Sequence, residues 1–191
     1  MKHEYCYFKS YLPKEICQQI LGDASDLEVH TAKVGDNVNM VQDDAIRKSR
    51  TQFLQNTNSK FNHLFDAIWK TGMRANLDFW NFHITKLDFI QLAEYDSAYL
   101  GEYKVHQDVI WKSTNDFHRK LSCIVQLSDP TTYEGGNLEI VEPGMIPLPQ
   151  NEIREQGTII FFPPMFHHKA NPVTKGIRHS LAAWFEGPHW R

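Results

Sequence analysis

Apolar residues recur at helical spacing along the first third of the chain and at alternate positions along the rest. Ile16, Ile20 and Leu21 form a stripe with Ser10 as a candidate cap, Pro13 in the first turn and Gly22 at the end. A second stripe, Phe61, Leu64, Phe65, Ile68 and Trp69, predicts a helix from Ser59 to about Ala75. Residues 29–56 between them are polar, with Gly35 and the charged run Asp43–Arg50. They read as a long, partly mobile loop with one short strand or turn. From residue 79 the period falls to two. The runs 79–84, 86–92, 121–127, 137–140, 158–162 and 180–185 alternate apolar with polar residues or stay apolar. Asp129-Pro130, Gly135-Gly136, Pro163-Pro164 and Lys175-Gly176 punctuate them. Many short strands spaced roughly 8–12 residues apart predict a sandwich or barrel. The expected fold class is therefore α+β: one domain over 1–191, with helical support and a variable loop in 1–78 and a β core in 79–188.

Composition narrows the function. The 191 residues carry 20 Lys+Arg against 23 Asp+Glu, a net charge of −3, which gives no field for nucleic acid or an anionic membrane. A hydrophobic share of 41% argues against disorder, and no apolar run is long enough to span a bilayer. The first nine residues lack an apolar leader core, and Cys6, Cys17 and Cys123 are odd in number and scattered. Both features suit a reducing cytoplasm. Ten histidines stand out for a chain of this length.

Three features of the β half carry chemistry. In His106-Gln107-Asp108, residues i and i+2 of an extended strand share a face, so imidazole and carboxylate can reach one ion. His167 or His168 follows a strong strand; neighbours face opposite ways, so only one of the two should enter the same pocket. Two histidines and one carboxylate suit non-haem Fe(II) and leave coordination positions open. In Arg178-His179-Ser180, a guanidinium and a hydroxyl share a face and can hold a single carboxylate; a buried arginine needs an anionic partner, and the chain offers no obvious internal one.

These residues resemble the Fe(II)/2-oxoglutarate-dependent dioxygenases, in their prolyl 4-hydroxylase-like branch. Tyr103 to Asp108 is similar to the branch's Tyr-x-x-His-x-Asp, Arg119 to Pro130 to its third core strand, Tyr133 to Leu138 to its Gly-Gly turn, and Pro172 to Arg178 to its closing strand. Leu12 to Cys17 and Ile46 to Arg50 resemble its N-terminal helix and the segment after it. The resemblance implies a double-stranded β-helix (jelly-roll, cupin-like) with N-terminal supporting helices. It implies His106, Asp108 and His168 as iron ligands, with spacing to Arg178 favouring His168 over His167. Arg178 would take the distal carboxylate of the co-substrate 2-oxoglutarate, with Ser180, Tyr103 and Tyr95 as hydrogen-bond donors. Oxygen would complete the reaction, with ascorbate as a candidate reductant. The implied activity is hydroxylation of a C–H bond with release of succinate and CO2, on a peptidyl-proline, another protein residue or a small molecule. Asp108 stands where related halogenases carry a small residue, which disfavours halogenation. A metal-binding or 2-oxoglutarate-sensing module without turnover is the alternative, and the paired Arg178 and Ser180 argue against it.

The other polar and aromatic residues have plainer expectations. His118 reads as a solvated strand-end residue and His179 as outward-facing. Trp184 reads as core against a helix, and residues 47–50 as a solvated face with substrate contact as the rarer alternative. Trp111 reads equally as lid packing or entrance lining. Asn137 replaces the usual acid of the Gly-Gly turn, and Gln126 stands where some relatives place a tyrosine against the co-substrate.

Overall fold

The computed structural model describes residues 3–35, 41–111 and 116–190. In chain order its elements are β1 (Cys6–Phe8), α1 (Lys14–Ala24), β2 (His30–Thr31), β3 (Arg47–Lys48), β4 (Arg50–Gln55) and α2 (Asn62–Phe79). There follow β5 (Phe89–Asp96), β6 (Glu102–His106), β7 (Phe117–Gln126), β8 (Glu134–Gly135), β9 (Leu138–Ile140) and α3 (Gln150–Ile153). The chain ends in β10 (Ile159–Phe162), β11 (His168–Ala170), β12 (Val173–Lys175) and β13 (Ile177–Pro188). Antiparallel pairing builds a seven-stranded sheet, β1-β10-β7-β13-β5-β4-β2, and a four-stranded sheet, β3-β6-β11-β9, while β12 and β8 form a separate pair. The fold class is α+β, a double-stranded β-helix backed by helices.

Alternation along β13 sets the division of labour. Leu181, Ala183 and Phe185 face the helices and join the main hydrophobic cluster. Arg178, Ser180, Ala182 and Trp184 face a cavity enclosed between the two sheets. The same parity holds on β5, where Ile90 and Leu92 enter the cluster while Gln91, Ala93 and Tyr95 line the cavity. On α2 the buried positions Leu64, Phe65, Ile68, Gly72 and Ala75 make one apolar stripe. That stripe packs on the sheet: Trp69 stacks on Phe185 with ring centroids 5.7 Å apart. Among the described residues no helix is long and apolar enough to cross a membrane.

Several local expectations are corrected. Helix α1 has Pro13, not Ser10, at its start; Ser10 sits at φ 46° and donates its N–H to Thr158 Oγ1. The helices also run on beyond Gly22 and Ala75, since packing on the sheet rewards each extra turn more than propensity penalises it. Run 79–84 is not a strand: α2 claims Phe79, and the Asn76 side chain holds the exit by bonding both the N–H and the carbonyl of Phe82. Within 29–56, β4 is a full member of the seven-stranded sheet, paired with β5 from Arg50 to Gln55. Its polar look arises because only Thr51 and Leu54 are buried.

Gly72 marks the tightest helix–sheet approach. A β-carbon there would lie 2.2 Å from Phe185 Cζ, a collision with a ring fully buried in the core. Gly72→Val is expected to cost about 1–3 kcal/mol by overpacking, although valine is the better helix former. A lowered thermal midpoint checks this, and an unchanged or raised midpoint contradicts the packing.

Candidate active site

His106 ends β6 and His168 opens β11, and the antiparallel register puts them directly opposite each other. Their ring centroids are 4.2 Å apart. Asp108 lies two residues beyond the end of β6 rather than on an extended strand, yet it is aimed the same way. Its N–H donates to the Pro164 carbonyl at 2.9 Å, which ties the turn to the strand exit before β11. The metal-binding atoms of His106, Asp108 and His168 all lie within 4.8 Å of one another.

The ring nitrogens are oriented by the backbone. His106 Nδ1 is 2.7 Å from the Lys104 carbonyl and His168 Nδ1 is 2.9 Å from the Phe166 carbonyl. A carbonyl only accepts, so each Nδ1 carries the proton and each Nε2 offers its lone pair. Those Nε2 atoms lie 3.8 Å and 3.5 Å from the Asp108 carboxylate. Burial alone would raise the pKa of Asp108, but His168, His106, Arg119 and a 2.6 Å hydrogen bond from Ser122 Oγ hold it down to about 2. Burial, then the neighbouring His168, lowers His106 to about 4. At neutral pH the pair is a carboxylate beside a neutral imidazole, the protonation state a divalent metal requires.

The cavity beside these three groups measures about 220 Å³. Arg178 enters it from β13 with only 2% of its surface exposed. Its Nη2 donates to Gln126 Oε1 at 2.9 Å and its guanidinium lies 5.4 Å above the Tyr95 ring. Nε is buried with no hydrogen-bond partner. Gly136, at φ 64°, makes room for it: a β-carbon there would come within 2.9 Å of Arg178 Cδ. Ser180, Tyr95 and Tyr103 line the same cavity. Tyr103 stacks on His106 with ring centroids 3.5 Å apart, and burial pushes its hydroxyl up to about 12, so it stays a donor.

The structure thus gathers His106, Asp108, His168, Arg178, Ser180, Tyr95 and Tyr103 around one space. His167 does not join them; it points outward and bonds Glu142 at 2.6 Å. Four sequence expectations change. Trp184 faces the cavity, not a helix, because Ala183 and Phe185 occupy the helix side of β13. His118 is buried rather than solvated, stacked on His189 at 4.3 Å. Arg47 is buried at the cavity wall, bonding Ser49 Oγ and Gln91 Oε1 and lying 4.5 Å above the Tyr103 ring. Trp111 is 55% exposed and does not line the cavity, and residues 112–115 of its loop lie outside the described residues. His179 bears away from the cavity toward Glu94. Asn137 Oδ1 accepts from Arg154, and Gln126 accepts from Arg178, so both departures have structural partners.

Sequence reasoning passed over Arg119, Ser122 and Gln91 as site residues. Arg119 Nη1 donates to the Asp108 carbonyl at 3.1 Å and its guanidinium lies 3.9 Å from the Trp184 ring. Parity was the available signal for two of them: Leu121, Cys123 and Val125 enter the helix-side cluster, as do Ile90 and Leu92, so Ser122 and Gln91 turn to the other face. Arg119 shares the parity of Leu121, and a register shift between Phe185 and Glu186 intervenes, so alternation does not point to it.

The profile of the 2OG-Fe(II) oxygenase superfamily matches residues 90–186. Proteins named PKHD-type hydroxylase from Pseudoalteromonas atlantica (strain T6c / ATCC BAA-1087) and Synechococcus sp. (strain CC9311) are 34% and 36% identical over 89 residues. Those matches cover 44% and 45% of this chain but 37% of each relative, so the chain spans little more than a third of their length. The crystal structure of a Pseudomonas putida prolyl-4-hydroxylase is similar with a TM-score of 0.71 at 15% identity, over 98% of this chain and 94% of that one. A prolyl hydroxylase from Trichoplax adhaerens, in complex with a hypoxia inducible factor oxygen degradation domain peptide fragment, has a TM-score of 0.73 at 15% identity over 95% and 83%.

A pH dependence follows from His106. Its folded pKa, about 4, lies below its ordinary value of 6.5, so the unfolded chain takes the proton first. The stability this ring allows is full above pH 6.5 and is lost as pH falls to about 4, by about 3 kcal/mol. In metal-free protein, His106→Gln is expected to flatten the fall of thermal midpoint across that window. Parallel curves for the variant and the parent contradict the assignment.

Proposed function

The chain belongs to the 2OG-Fe(II) oxygenase superfamily, and from that premise we propose that it hydroxylates a C–H bond with Fe(II), 2-oxoglutarate and O2, releasing succinate and CO2. The observation that supports this most is Arg178 Nε, a buried cationic donor with no partner, in the same cavity as two histidines and a carboxylate. Orphaned buried donors are costly, and an anionic ligand removes the cost.

The residues fit both groups. His106 Nε2, Asp108 and His168 Nε2 would hold the iron, two nitrogen donors and one oxygen donor being the set that suits Fe(II) with positions left open. Arg178 and Ser180 would hold the distal carboxylate of 2-oxoglutarate, with the Tyr103 and Tyr95 hydroxyls as further donors. When bound, the iron couples decarboxylation of 2-oxoglutarate by O2 to oxygen insertion into the substrate. The chain's own share is positional. Ser122 and Arg119 fix Asp108, the two backbone carbonyls fix the imidazole tautomers, and Tyr103 clamps the His106 ring. Phe53, Phe89 and Trp184 give the cavity an apolar wall. By likeness to the prolyl hydroxylases, the hydroxylated group is a proline-like ring, in a peptide or in a small molecule. A reducing compartment suits both Fe(II) and three free thiols.

Anaerobic Fe(II) with 2-oxoglutarate is expected to give a weak visible charge-transfer band, lost in His106→Ala and Asp108→Ala. No band in the parent protein at saturating co-substrate contradicts the reading. Arg178→Gln is expected to weaken 2-oxoglutarate binding about tenfold or more while iron still binds, the loss typical of a charge-assisted pair. Unchanged affinity in a titration of the band removes Arg178 from the clamp.

A further inference from the structure

Three guanidinium groups converge on the cavity, and the co-substrate accounts for one. Arg47 and Arg119 are the other two. Arg47 is 7% exposed and spends Nε and Nη2 on the neutral acceptors Ser49 and Gln91. Arg119 spends Nη1 on a backbone carbonyl. Among the described residues neither forms an ion pair, although the nearby Asp108 and Glu186 carboxylates favour the Arg119 charge, whereas Arg50 and Arg74, on the surface, pair with Glu94 and Asp78. Among the described residues Arg47 Nη1 and the remaining Arg119 nitrogens make no hydrogen bond, which leaves them for a ligand.

Charge counting sharpens the point. Among the described residues Asp108 is the single acidic side chain lining the cavity; of the two lysines there, Lys169 is paired with Glu139 at 3.0 Å and Lys33 is exposed. Iron and the 2-oxoglutarate dianion cancel, as do Asp108 and Arg178. The positive charges of Arg47, which is buried, and Arg119, which is half-buried, are then left uncompensated, which is unfavourable unless an anion joins them. Both groups are pinned beside the metal-binding residues, Arg47 across Tyr103 to His106 and Arg119 through the Asp108 carbonyl. Arg119 also lies on Trp184, one of three aromatic rings, with Phe53 and Phe89, along the wall.

We propose, resting on the oxygenase reading, that Arg47 and Arg119 dock an anionic group of the substrate, which is a small carboxylic acid with an apolar body. A neutral stretch of peptide would offer carbonyls to these donors and leave both charges unneutralised. The same cavity must also hold 2-oxoglutarate, which favours a compact molecule.

The test is calorimetric titration of the anaerobic Fe(II)–2-oxoglutarate holoprotein with acetyl-L-proline, phenylacetate and isovalerate, each against its primary amide and beside a neutral proline-containing peptide. At least one acid is expected to bind about tenfold or more tighter than its amide. That preference should vanish in Arg47→Gln and return in part in Arg47→Lys, with the 2-oxoglutarate band intact in both. A normal band with no acid better than its amide, or with the neutral peptide as the sole ligand, overturns this assignment while leaving the oxygenase reading standing. A missing band in the parent protein overturns both.

Discussion

A carboxylate buried at 6% exposure is unstable unless its surroundings supply positive potential and hydrogen bonds, and Asp108 is in that position. Its neighbours answer the need in a fixed order around it: Ser122 below, Arg119 on its backbone, His106 and His168 alongside. Among the described residues no lysine or arginine forms an ion pair with the carboxylate itself, and its two oxygens face the imidazole nitrogens. That arrangement is the one a divalent cation completes, and it constrains the rest of the chain. The β6–β11 register must hold to the residue, and the Pro164 carbonyl must stay in reach of the Asp108 N–H.

The same strands serve stability and chemistry on opposite faces. Odd positions of β13 lock the seven-stranded sheet to α1 and α2, while even positions deliver Arg178, Ser180 and Trp184 to the cavity. A slip of one residue would exchange the two sets, placing Arg178 against the helices and Phe185 in the cavity. Rigidity of the apolar side therefore fixes the polar side. Glycine supports this at two points, Gly72 letting the helix approach Phe185 and Gly136 letting the turn approach Arg178.

Much of this was legible in the sequence wherever one period dominates a segment. The longer strands of the β core, both helices and the shared faces of His106 with Asp108 and of Arg178 with Ser180 follow from alternation and spacing, while the full set with His168 rests on the family resemblance and the short strands β8, β11 and β12 carry no readable period. The failures have physical causes. In β4 the cavity side and the outer side are both partly polar, so Arg50–Gln55 carries no clear apolar face and reads as loop. In 80–84 an apolar run was stabilised by side-chain capping from Asn76, not by strand pairing. Arg47 reads as surface because its neighbours Lys48 and Arg50 are; its burial depends on the β3–β6 pairing, a contact more than 50 residues away in sequence that no local pattern encodes. Trp184 was misassigned because both faces of a strand buried between helices and a cavity can hold a large ring.

The account stands most directly on where iron and co-substrate sit. Diffraction at the iron edge from anaerobic crystals grown with Fe(II) and 2-oxoglutarate measures both at once. One anomalous peak bounded by His106, Asp108 and His168, with the distal carboxylate of 2-oxoglutarate on Arg178, is the expected result. Iron held elsewhere, or 2-oxoglutarate bound away from Arg178, would contradict the account.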